Sequence, residues 1–92
     1  MVVEKSFGEY LKKLRIHQEI SMRELARKPG IDVAYLSRIE RGINPAPQKK
    51  EILEKIVKAL NLNDDDTQEL FNLAAIENNI YPEDIREKLK NN

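Results

Sequence analysis

The stretch "VAYLSRIERG", residues 33–42, holds the side chains best suited to chemistry. Read as a helix, it divides into two faces. Leu36 and Ile39, with Tyr35 beside them, fall on one side, and Ala34, Ser37, Arg38 and Arg41, spaced i, i+3, i+4 and i+7, fall on the other. The second face is small and then basic, which suits recognition of a polyanion better than packing into a core. Ala34 and Ser37 add little bulk, so such a helix could lie deep in the roughly 12 Å major groove of DNA, where Arg38 could fork onto a guanine edge. The competing description is a solvated helix face that happens to carry two arginines.

Other chemistries find less support. His17 is the single histidine and cysteine is absent; no glycine-rich phosphate loop accompanies His17, so an exposed or capping histidine is expected rather than a catalytic one. The glutamates and lysines of the helical segments fall at i, i+4, as solvent-facing pairs do. "NDDD", residues 63–66, lacks the alternating ligands, the central glycine and the distal glutamate of a calcium loop. These observations predict neither an enzyme nor a metal or cofactor site.

At 92 residues and 40% apolar composition the chain fits one domain of modest stability. The start "MVVEKSFGEY" lacks the basic region and apolar core of a secretion signal, and no apolar run approaches the roughly 20 residues needed to cross a bilayer. With no cysteine to staple, a reducing, cytoplasmic setting is expected. Net charge is zero, but unevenly distributed: residues 1–50 carry 11 Lys/Arg against 6 Asp/Glu and residues 51–92 carry 5 against 10. The first half therefore faces a polyanion more readily than the second.

The elements that must position the opening face all read as helices. Phe7, Leu11 and Leu14 give a first helix over about residues 6–18, capped by Ser6. Ser21 and Glu24 form a capping-box pair ahead of a short second helix, which Pro29 and Gly30 stop. Asp32 caps a third helix of about ten residues that Gly42 ends. "NPAP" is an extended connector. Ile52, Leu53, Ile56, Val57 and Leu60 form the stripe of a fourth helix, and Leu70, Phe71, Leu73, Ala74 and Ile76 that of a fifth whose first turn holds three aspartates at the positive end of the dipole. Pro82 opens a charged sixth helix with Ile85 and Leu89. The fold class is all-α, a compact domain of five to six helices around Phe7, Leu11, Leu14, Leu25, Leu36, Ile39, Leu53, Ile56, Leu60 and Leu70.

A short helix, a glycine turn and a second helix is the helix-turn-helix layout. With "L-K-K-L-R", "S-M-R-E-L-A", "G-I-D", "Y-L-S-R-I-E-R-G" and "KAL-N-L" in order, residues 7–62 resemble the Cro and lambda-repressor type of helix-turn-helix proteins, the XRE family. The resemblance implies a lambda-repressor-type fold and sequence-specific binding of a double-stranded DNA operator by a transcriptional regulator, a repressor, with residues 33–41 as recognition helix. It pairs Arg15 with Glu40 as an interhelical ion pair, makes Ala26 the small residue between the second and third helices, and makes Gly30 the turn residue. Val33, Ala34, Ser37 and Arg38 match its base-contacting positions. Ser21, Met22, Arg41, Gln48, Lys49 and Lys50 match its phosphate-contacting positions, with Met22 where the family often has a glutamine. Residues 1–62 form the DNA-binding core and 63–92 a helical extension of the same domain. Phe71, Ile76, Ile80, Tyr81, Ile85 and Leu89 are the expected surface of a homodimer. Two alternatives stay open: an antitoxin that binds a toxin and its own promoter, and a protein-interaction module that keeps the shape without DNA affinity.

Overall fold

Four of the five described helices begin where a side chain claims an orphan backbone N–H, at Ser6, Ser21, Asp32 and Asn63. The computed structural model describes residues 6–27 and 30–78, so the sixth helix and the break expected at Lys28 and Pro29 lie outside the described residues. Five helices are described: α1 Phe7–His17, α2 Met22–Arg27, α3 Val33–Glu40, α4 Lys50–Leu60 and α5 Asp64–Asn78. The Ser6 hydroxyl accepts from the Glu9 N–H at 3.1 Å, and the Ser21 hydroxyl accepts from the Glu24 N–H at 3.1 Å. In both, the glutamate carboxylate accepts from the serine N–H in return. Asp32 caps α3 through the Ala34 N–H. Asn63, which the sequence pattern did not single out, caps α5 through the Asp66 N–H at 2.7 Å.

The ends of α1 to α4 share one device. Glu19, Gly30, Gly42 and Asn61 each take a positive φ, of 58°, 73°, 79° and 53°. After each of them the chain turns back onto the helix just left. At the end of α3, the Gly42 N–H donates to the Ile39 carbonyl and the Ile43 N–H to the Arg38 carbonyl, so the last turn of the helix is closed while the chain reverses. Glycine takes this geometry without strain at Gly30 and Gly42, which is why both expected stops are real.

α1 packs against both α3 and α5, and α2 bridges α3 and α4. Nine of the ten expected core residues are buried; Leu14 is only partly so. The interior stripe of α1 runs Phe7, Leu11 and then Arg15, at i, i+4 and i+8, and Arg15 takes the place toward the interior that Leu14 was expected to hold. Tyr10, Ala26, Ala46, Leu73 and Ala74 complete the core.

Gly8 is the tightest point. A Cβ there would fall well inside van der Waals contact distance of the Ile39 carbonyl oxygen and 3.0 Å from Glu40 Cα. Because these are backbone atoms of α3, no rotamer change relieves the clash. Tyr10 secures the other side of α1, its hydroxyl donating to Asp66 Oδ1 at 2.9 Å on α5. Burial first, and then this bond, push the phenol pKa up to about 12.

Gly8→Ala should destabilise the fold by at least about 1–3 kcal/mol, the usual cost of overpacking, despite alanine's better helix propensity; a urea midpoint at or above wild type would show that α1 and α3 do not approach so closely. The raised phenol pKa means that the fold favours the neutral form. The stability gained is therefore complete below about pH 10, the unfolded value, and is lost as pH rises through about 12. Denaturant titrations across that window should show wild type losing stability more steeply than Tyr10→Phe; equal slopes would mean a solvated phenol.

Candidate nucleic-acid interface

The rotation of α3 about its own axis decides which side chains face out, and a buried ion pair fixes that rotation. Arg15 Nε donates to Glu40 Oε2 at 2.7 Å, Arg15 Nη2 donates to Glu40 Oε1 at 2.9 Å, and Arg15 Nη1 donates to the Ile20 carbonyl at 2.9 Å. Both residues are more than nine-tenths buried. The hydrogen bonds that Arg15 donates to Glu40 raise its pKa above the already high ordinary value, against the effect of burial. The Nε/Nη2 edge of the planar guanidinium meets both carboxylate oxygens in a directional, bidentate contact while Nη1 takes the Ile20 carbonyl, so α1, the turn at Ile20 and the end of α3 are locked together.

With Leu36, Ile39 and Glu40 inward, the opposite side of α3 is open. Val33, Ala34, Arg38 and Arg41 are exposed and Ser37 is half-buried. Among the described residues neither Arg38 nor Arg41 has a hydrogen-bond or ion-pair partner, so both guanidinium groups have their donors available. The structure thus brings the four expected base-contacting side chains onto one surface, with Arg41 at its end.

The expected phosphate contacts fall into two places. Ser21 starts α2, exposed, its hydroxyl oxygen engaged by the Glu24 N–H. Met22 is half-buried and packs against the core; its thioether carries no donor, which leaves only its backbone N–H to meet an anion. Gln48, Lys49 and Lys50 are exposed at the start of α4. Lys50 Nζ lies 4.0 Å from Glu54 Oε2, an exposed i, i+4 pair worth little in water. Lys49 holds the N-cap position of α4 without a side-chain hydrogen bond, so the positive end of that helix is left to solvent or ligand.

Between α3 and α4 lies an open groove of about 370 Å³ lined by Tyr35, Asn44, Gln48 and Lys49 among others. Tyr35 and Asn44 were not expected at the surface patch. Tyr35 is half-buried, with its ring against the core, so the apolar pattern placed it inward. Asn44 stands in the connector, where no periodicity marks a face.

The family model described as Helix-turn-helix matches residues 11–66, more than half of the chain. The chain belongs to the helix-turn-helix family. Its helix-turn-helix unit is α2, the turn around Gly30 and α3. Among curated proteins it is similar to the HTH-type transcriptional repressor RghR of Bacillus subtilis, 37% identical over 57 residues, covering 62% of this chain and 42% of the relative. It is also similar to an uncharacterized HTH-type transcriptional regulator of Mycobacterium tuberculosis, 34% identical over 56 residues, covering 61% and 39%. The matched stretch thus makes up less than half of either relative. Of solved structures, the N-terminal DNA binding domain of SinR from Bacillus subtilis superposes with a TM-score of 0.59 at 31% identity, covering 71% of this chain and 88% of that one. The clp gene regulator ClgR from C. glutamicum gives 0.59 at 28%, covering 75% and 83%. Among the described residues no helix is long and apolar enough to cross a membrane.

Removing one partner of the buried pair should be costly. Glu40→Ala leaves the Arg15 guanidinium buried without its anion and should lower stability by about 3–5 kcal/mol, whereas the double variant Arg15→Met, Glu40→Leu should recover much of that loss. Urea unfolding of the three proteins checks this; a single variant within about 1 kcal/mol of wild type, as for surface pairs, would mean that the pair is hydrated.

Proposed function

We propose that this helix-turn-helix protein is a sequence-specific double-stranded DNA-binding transcriptional regulator, acting as a repressor in the cytoplasm by occupying an operator. The observation that carries this reading is the outward face of α3, small at Ala34 and Ser37 and basic at Arg38 and Arg41, held at a fixed rotation by the Arg15–Glu40 pair. The activity proposed is binding rather than catalysis. α3 enters the major groove; Val33 and Ala34 meet thymine methyl groups, and Ser37 and Arg38 meet base edges. Ser21, the Met22 backbone, Arg41, Gln48, Lys49 and Lys50 anchor the flanking phosphates.

One such unit reads only a few base pairs, and we assign a two-fold homodimer reading half-sites about 34 Å apart. Its surface includes Phe71 and Ile76 of α5, of which Ile76 is 66% exposed; Ile80, Tyr81, Ile85 and Leu89 of the same expected surface lie outside the described residues. The curated relatives named above are an HTH-type transcriptional regulator and an HTH-type transcriptional repressor, which does not favour the antitoxin alternative.

The two arginines test the docking. With a site selected from genomic fragments and a scrambled control, Arg38→Ala should cost about 1–3 kcal/mol on the selected site and relax preference at one base pair. Arg41→Ala should weaken both DNAs alike and lower the salt slope by about one. If the two variants behave identically, or if neither changes binding, α3 does not sit in the groove as described.

A further inference from the structure

The last turn of α5 reaches across the molecule to the connector that feeds α4. Glu77 Oε1 accepts from the Ala46 N–H at 3.1 Å and Glu77 Oε2 accepts from the Phe7 N–H at 2.9 Å. Its neighbour Asn78 donates through Nδ2 to the Pro47 carbonyl at 3.0 Å. Two adjacent side chains therefore grip two consecutive backbone units of the connector, and one of them also caps the positive end of α1. Ala46 and Pro47 are buried, and the next three residues are Gln48, Lys49 and Lys50, exposed at the open end of α4. Behind the grip, Glu77 lines a cleft with Gly42, Ile43 and Asn44, the segment by which the chain leaves α3. Residues 77 and 78 lie beyond the stretch 11–66 that matches the family.

We propose that Glu77 and Asn78 are positioning residues for DNA binding: they act through Ala46 and Pro47 to hold Gln48, Lys49 and Lys50 at the phosphate-contacting edge, so that the C-terminal turn of α5 sets the strength of backbone anchoring without touching DNA. The inference rests on the DNA-binding reading above. A carboxylate that accepts two backbone N–H groups holds both against water, and these charge-assisted bonds are the stronger kind. Glutamine in its place can accept only one of them, turning its NH₂ toward the other. Asn78 also carries a buried Oδ1 with no hydrogen-bond partner among the described residues. Its amide is thus held for the bond it donates, although its oxygen goes unmatched.

The two residues can be separated, because Glu77 hydrogen-bonds both α1 and the connector, whereas among the described residues the Asn78 side chain hydrogen-bonds the connector alone. Wild type, Glu77→Gln and Asn78→Ala are titrated with the selected site and the scrambled DNA across a range of salt, with thermal melts and amide spectra of Ala46 and Phe7 alongside. Both folded variants should lower the salt slope by about one to two, as Lys49 and Lys50 lose their hold, while the ratio between selected and scrambled DNA stays within about twofold, since discrimination belongs to base contacts. Variants that keep the wild-type slope, or a Glu77→Gln effect on the melt alone with Asn78→Ala binding as wild type does, would overturn the inference and leave a cap of α1. If Glu77→Gln does not fold, the slope of Asn78→Ala decides. A wild-type protein without salt-dependent affinity overturns the DNA reading itself, a result distinct from wild-type binding that the variants leave unchanged.

Discussion

The buried pair of Arg15 and Glu40 is the interaction on which the rest of this structure depends. Two opposite charges removed from water cost several kcal/mol each in desolvation, and their mutual attraction offsets this only when the geometry is good and the remaining donors are satisfied. Here both conditions hold: the guanidinium meets both carboxylate oxygens and gives a third bond to the Ile20 carbonyl. An apolar pair of the same volume would fill the space but would let α3 rotate or slide on α1, because dispersion contacts have no preferred direction. Gly8 adds the complementary feature: having no Cβ, it lets the α1 backbone lie against that of Ile39 and Glu40, an approach that a larger residue would block. One contact sets rotation and the other allows the close separation.

From that fixed frame follows the division of the surface. α3 presents Ala34, Ser37, Arg38 and Arg41 together because Leu36, Ile39 and Glu40 are spent on the interior. Acidic residues gather on α5: Asp64, Asp65 and Asp66 stand at the positive end of its dipole, where their charge stabilises the helix, and Asp66 takes the Tyr10 hydroxyl. A zero net charge thus conceals a molecule with a basic front built on α3 and the start of α4 and an acidic helix used for its own assembly. Field lines from the front are what a polyanion meets at a distance of about a Debye length.

α5 is more than a lid over apolar residues. It contributes Leu70, Leu73 and Ala74 to the core, but its polar ends do the finer placing: Asp66 against α1 at one end, Glu77 and Asn78 against α1 and the connector at the other. The connector itself has few means of holding its shape, since Pro45 and Pro47 have no N–H to donate. The fold supplies from a distance what the local chain cannot.

What the sequence by itself determined were the features whose physics is local or periodic. Helix starts at Ser6, Ser21 and Asp32 and stops at Gly30 and Gly42 could be read because a cap and a left-handed turn involve only near neighbours in the chain. Apolar spacing sufficed to give nine of the ten core positions and the two faces of α3, and the ordered motifs sufficed to place the chain in its family and to pair Arg15 with Glu40. The tertiary structure alone decided the rest. That Leu14 yields its place to Arg15, that Gly8 must be glycine, that Tyr35 and Asn44 share a groove with Gln48 and Lys49, and that Glu77 holds Phe7 and Ala46 were not legible, because each depends on partners between 4 and 70 residues apart whose approach no pattern encodes. Glycine at 8 inside a helical pattern does carry a sequence signal, since a residue that weakens a helix there usually makes room for a neighbour. A glutamate in the last turn of a helix gives no such signal: its meaning comes from the backbone donors that folding brings to it.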